Sequence, residues 1–270
     1  MTLDAAALQS VYGGTARAFA AASATVYERM AAPLVVECPL PLDTAAVLDF
    51  GAGTGATTRA VAAAGARVVA ADLTFDMLEQ DRARRPPAVN ADVLGLPFRA
   101  RTFDVALGAF VISHVGEPAR ALREVARTVR DDGAVLTVGY DARWSFPAKQ
   151  VIHDVLVGLG MTTPAWYEAL KHDIEPLTAF PDRLAAVAVD AGLADVVVHE
   201  HAVDVDARDA DAIITWRLGT PIYAPFMATR SAEQRDEIVA ALRNALGPHP
   251  DPLVPELLVL VGRVGGDGDR

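Results

Sequence analysis

The sequence predicts an α/β fold built on a doubly wound sheet of seven strands. Three observations carry this expectation. Short apolar runs alternate with helical stretches between residues 45 and 140, and the first run is closed at once by Gly51-Ala52-Gly53-Thr54-Gly55. Acids stand in or just after the first three runs, at Asp49, Asp72 and Asp92. With 270 residues, 52% of them hydrophobic, the chain has the material for a sizeable core, which excludes intrinsic disorder.

Taken in order, residues 5–36 read as helical, with Val11, Phe19, Val26 and Met30 near one face and Pro33 breaking the run. Residues 45–50 form the first strand, and an alanine-rich helix follows to residue 64. The alternation then repeats with a strand over 67–71, a helix over 74–84 and a strand over 88–91. A fourth strand covers 103–110, a helix 118–129 and a fifth strand 134–140, with Asp132-Gly133 as the turn before it. Such alternation calls for a parallel sheet with ligand sites at the carboxyl ends of its strands. Residues 141–180 lose the rhythm and read as a cap. Regular structure resumes with a helix over 182–191, a strand over 195–205, a helix over 231–245 opened by a Ser-x-x-Gln capping pattern, and a last strand over 257–264.

The expected organisation is one domain in five parts. Residues 1–44 form a helical lid, 45–140 the ligand-binding core, 141–180 a cap that builds the acceptor pocket, 181–264 the completion of the sheet, and 265–270 a frayed tail. Lys and Arg total 24 against 35 Asp and Glu, a net charge of −11 that repels polyanions and argues against nucleic acid as a partner. One cysteine, Cys38, excludes an internal disulfide and thiol-based zinc sites. The start lacks a secretory pattern and no apolar run reaches membrane-spanning length, so a cytoplasmic protein without a membrane span is expected, with a homodimer as the possible assembly.

A glycine turn between a buried strand and a helix brings backbone close to a ligand and offers helix N-terminal amides to it. Gly51, Gly53 and Ala56 also satisfy a looser dinucleotide pattern, so NAD must be weighed. The acids decide the matter. Asp72, 21 residues after Gly51, suits a ribose diol, and Asp92 suits an exocyclic amine, which together describe an adenosine site. Asp49 puts negative charge beside the turn, which disfavours a pyrophosphate and favours the cationic S-adenosylmethionine (SAM). Asp49 equally suits a structural acid that accepts backbone amides of the turn.

The segment Val47-Leu48-Asp49-Phe50-Gly51-Ala52-Gly53-Thr54-Gly55 resembles the first motif of the class I SAM-dependent methyltransferases. The likeness continues through Asp72-Leu73-Thr74-Phe75-Asp76-Met77-Leu78, Asn90-Ala91-Asp92-Val93, Phe103-Asp104-Val105 and Leu122-Arg123-Glu124. It is nearest to the methyltransferase type 11 group, which includes quinone-biosynthesis and small-molecule tailoring enzymes. The resemblance implies a Rossmann-like methyltransferase sheet and a methyl transfer from SAM to a small, lipophilic acceptor. It places Gly51, Ala52, Gly53 and Gly55 along the methionine and ribose side and Asp72 on the ribose. Leu73 and Met77 fall on the adenine faces, Asp92 and Val93 at the adenine edge, and Ala109 at the amino end. Tyr12 is expected as a lid contact. Phe50 replaces a smaller residue, which would crowd the methionine end, and Asp131-Asp132-Gly133 replaces a Lys-Pro-Gly turn.

His114 follows the fourth strand where an acceptor must lie, and is the candidate general base; a packing role is the alternative. His199 and His201 share one side of a strand without a third ligand in view, so no metal site is expected. Tyr167 and Lys171 spell a Tyr-x-x-x-Lys pair, read as coincidence because the accompanying dehydrogenase glycine motif is missing. Trp144, Trp166, Trp216, Tyr223 and Phe226 suggest an apolar or aromatic acceptor pocket. A methyltransferase fold turned to non-methylating work, such as a cyclase, is the alternative function.

Overall fold

The computed structural model describes residues 5–80, 82–83 and 85–266. Seven strands form one sheet: β1 (Ala46–Phe50), β2 (Arg67–Asp72), β3 (Ala88–Asn90), β4 (Phe103–Ala109), β5 (Val129–Tyr140), β6 (Leu193–Ala202) and β7 (Glu256–Val264). Their order is β3-β2-β1-β4-β5-β7-β6. The sheet is mixed, because β7 runs antiparallel to both β5 and β6. The parallel pairing expected from the alternation over residues 45–140 holds for β1 to β5. Strand order reverses between β1 and β4, so the carboxyl ends of these strands flank a natural crevice.

Alternation along each buried strand feeds two cores. Val47, Leu107, Leu136 and Val259 face one layer, with Met30 and Leu34 of α3 (Ala24–Val36) and Val61 of α4 (Ala56–Ala63). Leu48, Ala106, Val135 and Leu258 face the other, with Leu122 and Val125 of α6 (Pro118–Thr128) and Leu184 of α10 (Pro181–Asp190). The helix α6 has a strongly one-sided pattern, with Ala121, Leu122 and Val125 inward and Arg120 and Arg123 toward solvent.

The amino-terminal segment is three helices where one was expected: α1 (Ala5–Gly13), α2 (Ala16–Ala22) and α3. Gly13-Gly14 makes the first break. At the second, Ser23 Oγ donates to the carbonyl of Trp216 at 2.8 Å. Gly219 makes that approach feasible, since a Cβ there would stand 2.5 Å from the Cβ of Ala22. Pro33 lies inside α3 and does not end it; the helix stops at Val36, where the Glu37 amide bonds back to the Pro33 carbonyl.

The helix expected over 74–84 is α5 (Phe75–Glu79), and Arg84 lies outside the described residues. Asp132-Gly133 is not a free turn: it is the irregular start of β5, with Asp132 at φ 60° and a register shift against β4. Residues 141–180 hold α7 (Pro147–Gly158), α8 (Ala165–Ala169), a π-helical turn (Leu170–Ile174) and α9 (Glu175–Thr178). Between β6 and β7 lie α11 (Ala210–Leu218), α12 (Ala224–Ala228) and α13 (Ala232–Leu246). The first two are not signalled by the sequence pattern, because α11 buries residues without a single apolar stripe. The capping box forms as expected, with Ser231 and Gln234 satisfying each other's backbone amides.

Candidate active site

A cavity of about 780 Å³ opens over the carboxyl ends of β1, β2 and β4. Its floor is the glycine turn. Gly51 sits at φ +67°, and a Cβ there would stand 2.0 Å from Val111 Cγ2, so only glycine lets the turn pass beneath the segment after β4. Gly53, at φ +51°, has nothing within 4 Å of its Cβ position, which leaves a bare backbone cradle facing open space. Phe50 borders the cavity and rests its ring on Gly108, where a Cβ would meet Phe50 Cε2 at 2.3 Å.

Asp72, at the end of β2, accepts the Gly53 amide at 2.7 Å through Oδ2 and the Thr74 amide at 2.7 Å through Oδ1. Each oxygen keeps a lone pair for a further donor. Burial pushes its pKa up, and the two amides oppose that shift. Asp92 accepts the Leu94 amide at 2.9 Å, which fixes the loop after β3. Leu73, Met77, Asp92, Val93 and Ala109 all border the cavity, as does Tyr12 from α1. Burial, followed by the charges of Tyr27 and Asp72, holds the Tyr12 hydroxyl well above the usual phenol range.

Two expected site residues stand behind the cavity wall. Asp49 is fully buried and does not border the cavity: it shares the parity of Val47, so it points to the α4 layer and accepts the Thr58 hydroxyl. Its Oδ1 has no hydrogen-bond partner among the described residues, and burial pushes its pKa up to about 7. Strand parity is the signal that foretells this direction. Gly55 caps α4 at φ +92°, with its Cβ position toward Arg59 and Arg85 and away from the cavity.

His114 sits in a short 3-10 turn (Ile112–His114) and lines the same cavity as the glycine turn. Its Nδ1 lies 2.6 Å from the Phe110 carbonyl and its ring meets Tyr12 edge-on at 5.8 Å. Burial lowers its pKa, opposed by the Phe110 bond.

Beyond His114 the walls are aromatic. Tyr140 stacks on Trp144 at 5.6 Å, and Tyr27, Trp166 and Tyr167 complete that side. Trp216 borders the cavity; Tyr223 is fully buried behind it, and Phe226 belongs to an adjoining groove. Sequence reasoning missed the charged residues here. Arg217 of α11 and Lys149 of α7 both border the chamber, and nothing in local pattern distinguishes them from surface cations. Lys171 pairs with Glu175 at 2.5 Å and lies 5.9 Å over the Tyr167 ring, so the Tyr-x-x-x-Lys lysine is committed to a carboxylate.

His199 and His201 do meet a third group: Glu37 approaches them at 3.4 and 2.8 Å. Among the described residues no cluster of three such side chains is arranged to hold a metal ion. No described helix is long and apolar enough to cross a membrane.

The cradle and its acids fit a ligand with a diol and an amine. Gly53 offers unfilled backbone surface, Asp72 keeps free lone pairs beside it, and Leu73 and Met77 supply apolar faces between Asp72 and Asp92. A methyltransferase domain family matches residues 48–137, the stretch that builds this wall. A demethylmenaquinone methyltransferase of Corynebacterium kroppenstedtii is 34% identical over 157 residues, covering 56% of this chain and 68% of that protein. Among solved structures, phosphoethanolamine N-methyltransferase 2 of Haemonchus contortus superposes with a TM-score of 0.55 at 15% identity, over 87% of this chain and 52% of that one. The [4+2]-cyclase SpnF superposes with a TM-score of 0.54 at 16% identity, over 87% of this chain and 80% of that one, so the architecture by itself does not select methylation. The sequence relationship does, and on it the chain belongs to the class I SAM-dependent methyltransferases, in the methyltransferase type 11 group.

Proposed function

We propose that the protein methylates a small, quinone-like or phenolic acceptor in the cytoplasm, with SAM held along the glycine turn. One observation carries the reading: a single cavity is lined by the Gly51–Gly53 cradle, Asp72, His114 and an aromatic set that includes Tyr140, Trp144 and Trp166. The naming of the relative as a demethylmenaquinone methyltransferase supports the acceptor class. Asp72 would hold the ribose hydroxyls, Leu73 and Met77 the adenine faces, Asp92 and Val93 the adenine edge, and the Ala109 backbone the amino end. Tyr12 would close over them from α1. Asp49 and Gly55 support the turn from behind. Bound SAM supplies an electrophilic methyl group on a sulfonium.

The chain's own contribution is alignment and proton removal. Holding two reactants in line can supply effective molarities of about 10⁵ M or more in favourable cases. The aromatic walls orient a flat ring and exclude water. The carbonyl of Phe110 can only accept, so His114 Nδ1 carries the proton and Nε2 offers its lone pair to an acceptor hydroxyl.

Calorimetric titration with SAM and S-adenosylhomocysteine tests the cofactor site, comparing wild type with Asp72→Ala. The expected result is micromolar binding weakened in the variant by about 2 kcal/mol or more, since a charged acceptor of two hydroxyls is lost. Absence of binding to either ligand in wild type overturns the proposal.

A further inference from the structure

The chain carries a net charge of −11, yet its aromatic chamber gathers cations. Arg217 borders the cavity with its guanidinium carbon 4.9 Å from the Tyr223 ring and 5.6 Å from the Trp216 ring. Its Nη2 donates to the Tyr223 hydroxyl at 3.4 Å, and its Nε is buried with no hydrogen-bond partner. The groups whose charges act on it are Tyr223, Tyr167 and Tyr27, all phenols, and it forms no ion pair among the described residues.

Lys149 lines the same cavity, its Nζ 4.4 Å from the Trp144 ring and 5.7 Å from the Tyr140 ring, again without an ion pair among the described residues. The charged groups facing it are Arg217, Lys171 and Glu175, and Glu175 is already bound to Lys171. The nearby Asp141 is likewise taken by Arg143.

A buried guanidinium cannot shed its charge, and without a counter-ion it costs several kcal/mol that cation–π contacts offset only in part. Arg217, with the Lys149 amine lining the same aromatic-walled cavity and able to take up a proton, is stabilised by an anion of the right shape. We propose that Arg217 and Lys149 form a receptor for a planar aromatic anion, so that the acceptor is bound through a negatively charged oxygen on a flat ring. This rests on the methyltransferase reading for the word acceptor, but the anion preference is a property of the chamber alone. It also sharpens that reading, because an acceptor chosen for lipophilicity alone would leave the Arg217 guanidinium uncompensated.

The test uses 2-naphthoate and its neutral isostere 2-naphthamide, titrated calorimetrically into wild type, Arg217→Gln and Arg217→Lys, with S-adenosylhomocysteine as a parallel ligand. Wild type is expected to bind naphthoate at least about tenfold more tightly than naphthamide, as charge-assisted recognition requires. Arg217→Gln should lose that preference while leaving naphthamide unchanged, and Arg217→Lys should keep part of it. Equal binding of acid and amide by wild type overturns the proposal, as does equal loss of both in Arg217→Gln. Should Arg217→Gln fail to fold, the acid-to-amide ratio in wild type and in Arg217→Lys decides. Wild type that prefers naphthoate but ignores S-adenosylhomocysteine would retain the anion site and remove the methyltransferase reading; the converse removes the anion site alone.

Discussion

His114 Nδ1 donates to the Phe110 carbonyl at 2.6 Å, four residues back along a chain that turns through φ 58° at Phe110. The bond locks the ring and leaves Nε2 basic. Burial lowers the pKa of His114, so the neutral imidazole persists to more acid pH than in a free histidine. His114→Asn is expected to lower kcat on a hydroxyaryl acceptor by about 10² to 10⁴ with S-adenosylhomocysteine affinity unchanged. The acid limb of the wild-type pH–rate profile should have its midpoint below 6.5. Full activity in the variant would reduce His114 to packing.

Gly51 and Val111 form a pair in which one residue's absent side chain is the other's space. Gly51→Ala adds strain of about 1 kcal/mol for φ +67° and a further 1 to 3 kcal/mol for overpacking against Val111. The double variant Gly51→Ala with Val111→Ala should recover the overpacking part and keep the backbone part. Denaturant unfolding of the four proteins checks this. Costs that simply add would show that the two residues do not meet.

Strands, glycine turn and acids were legible in sequence because each is a local pattern. Short apolar runs of five or six residues give β1 and β2, and Asp72 sits where its own strand ends. What was illegible depends on distant partners. The break between α2 and α3 is held by Trp216, 193 residues from Ser23. The antiparallel β7 has the same apolar composition in either direction, so its own residues do not announce how it pairs. Arg217 and Lys149 look like ordinary surface cations until the fold withholds a carboxylate from the guanidinium. Asp49 was half legible: its burial followed from the pattern, but which wall it faced needed the parity of the strand.

Asp49 holds its proton up to about pH 7 in the fold, against an unfolded value of 3.8. Between those values the folded state binds more protons than the unfolded one, so this group favours folding at acid pH. That contribution fades as pH rises from about 4 to about 7. Asp49→Asn removes the titration and still accepts the Thr58 hydroxyl through its amide oxygen. Its stability relative to wild type should therefore rise with pH over this window, by a few kcal/mol at most. Urea midpoints for both proteins at pH 4.5 and pH 8 measure the difference. A gap that stays constant with pH would mean that Asp49 is ionised throughout.

Burial in the chamber, with the charges of Arg217 and Lys171 nearby, lowers the pKa of Lys149 to about 7. The sequence holds only one other lysine, Lys171, so carbon-13 reductive methylation yields two lysine resonances besides the terminal amine. The Lys149 resonance, assigned with Lys149→Arg, is expected to titrate near pH 7. The sign for stability follows: between about 7 and 10.5 the unfolded chain binds the proton that the folded one releases, so this group adds stability as pH rises through that range. Saturating 2-naphthoate places negative charge beside the amine and should move its midpoint upward, whereas 2-naphthamide should not. A midpoint near 10 in the free protein would show that Lys149 turns its amine to water, and the chamber would then hold Arg217 as its single unpaired cation.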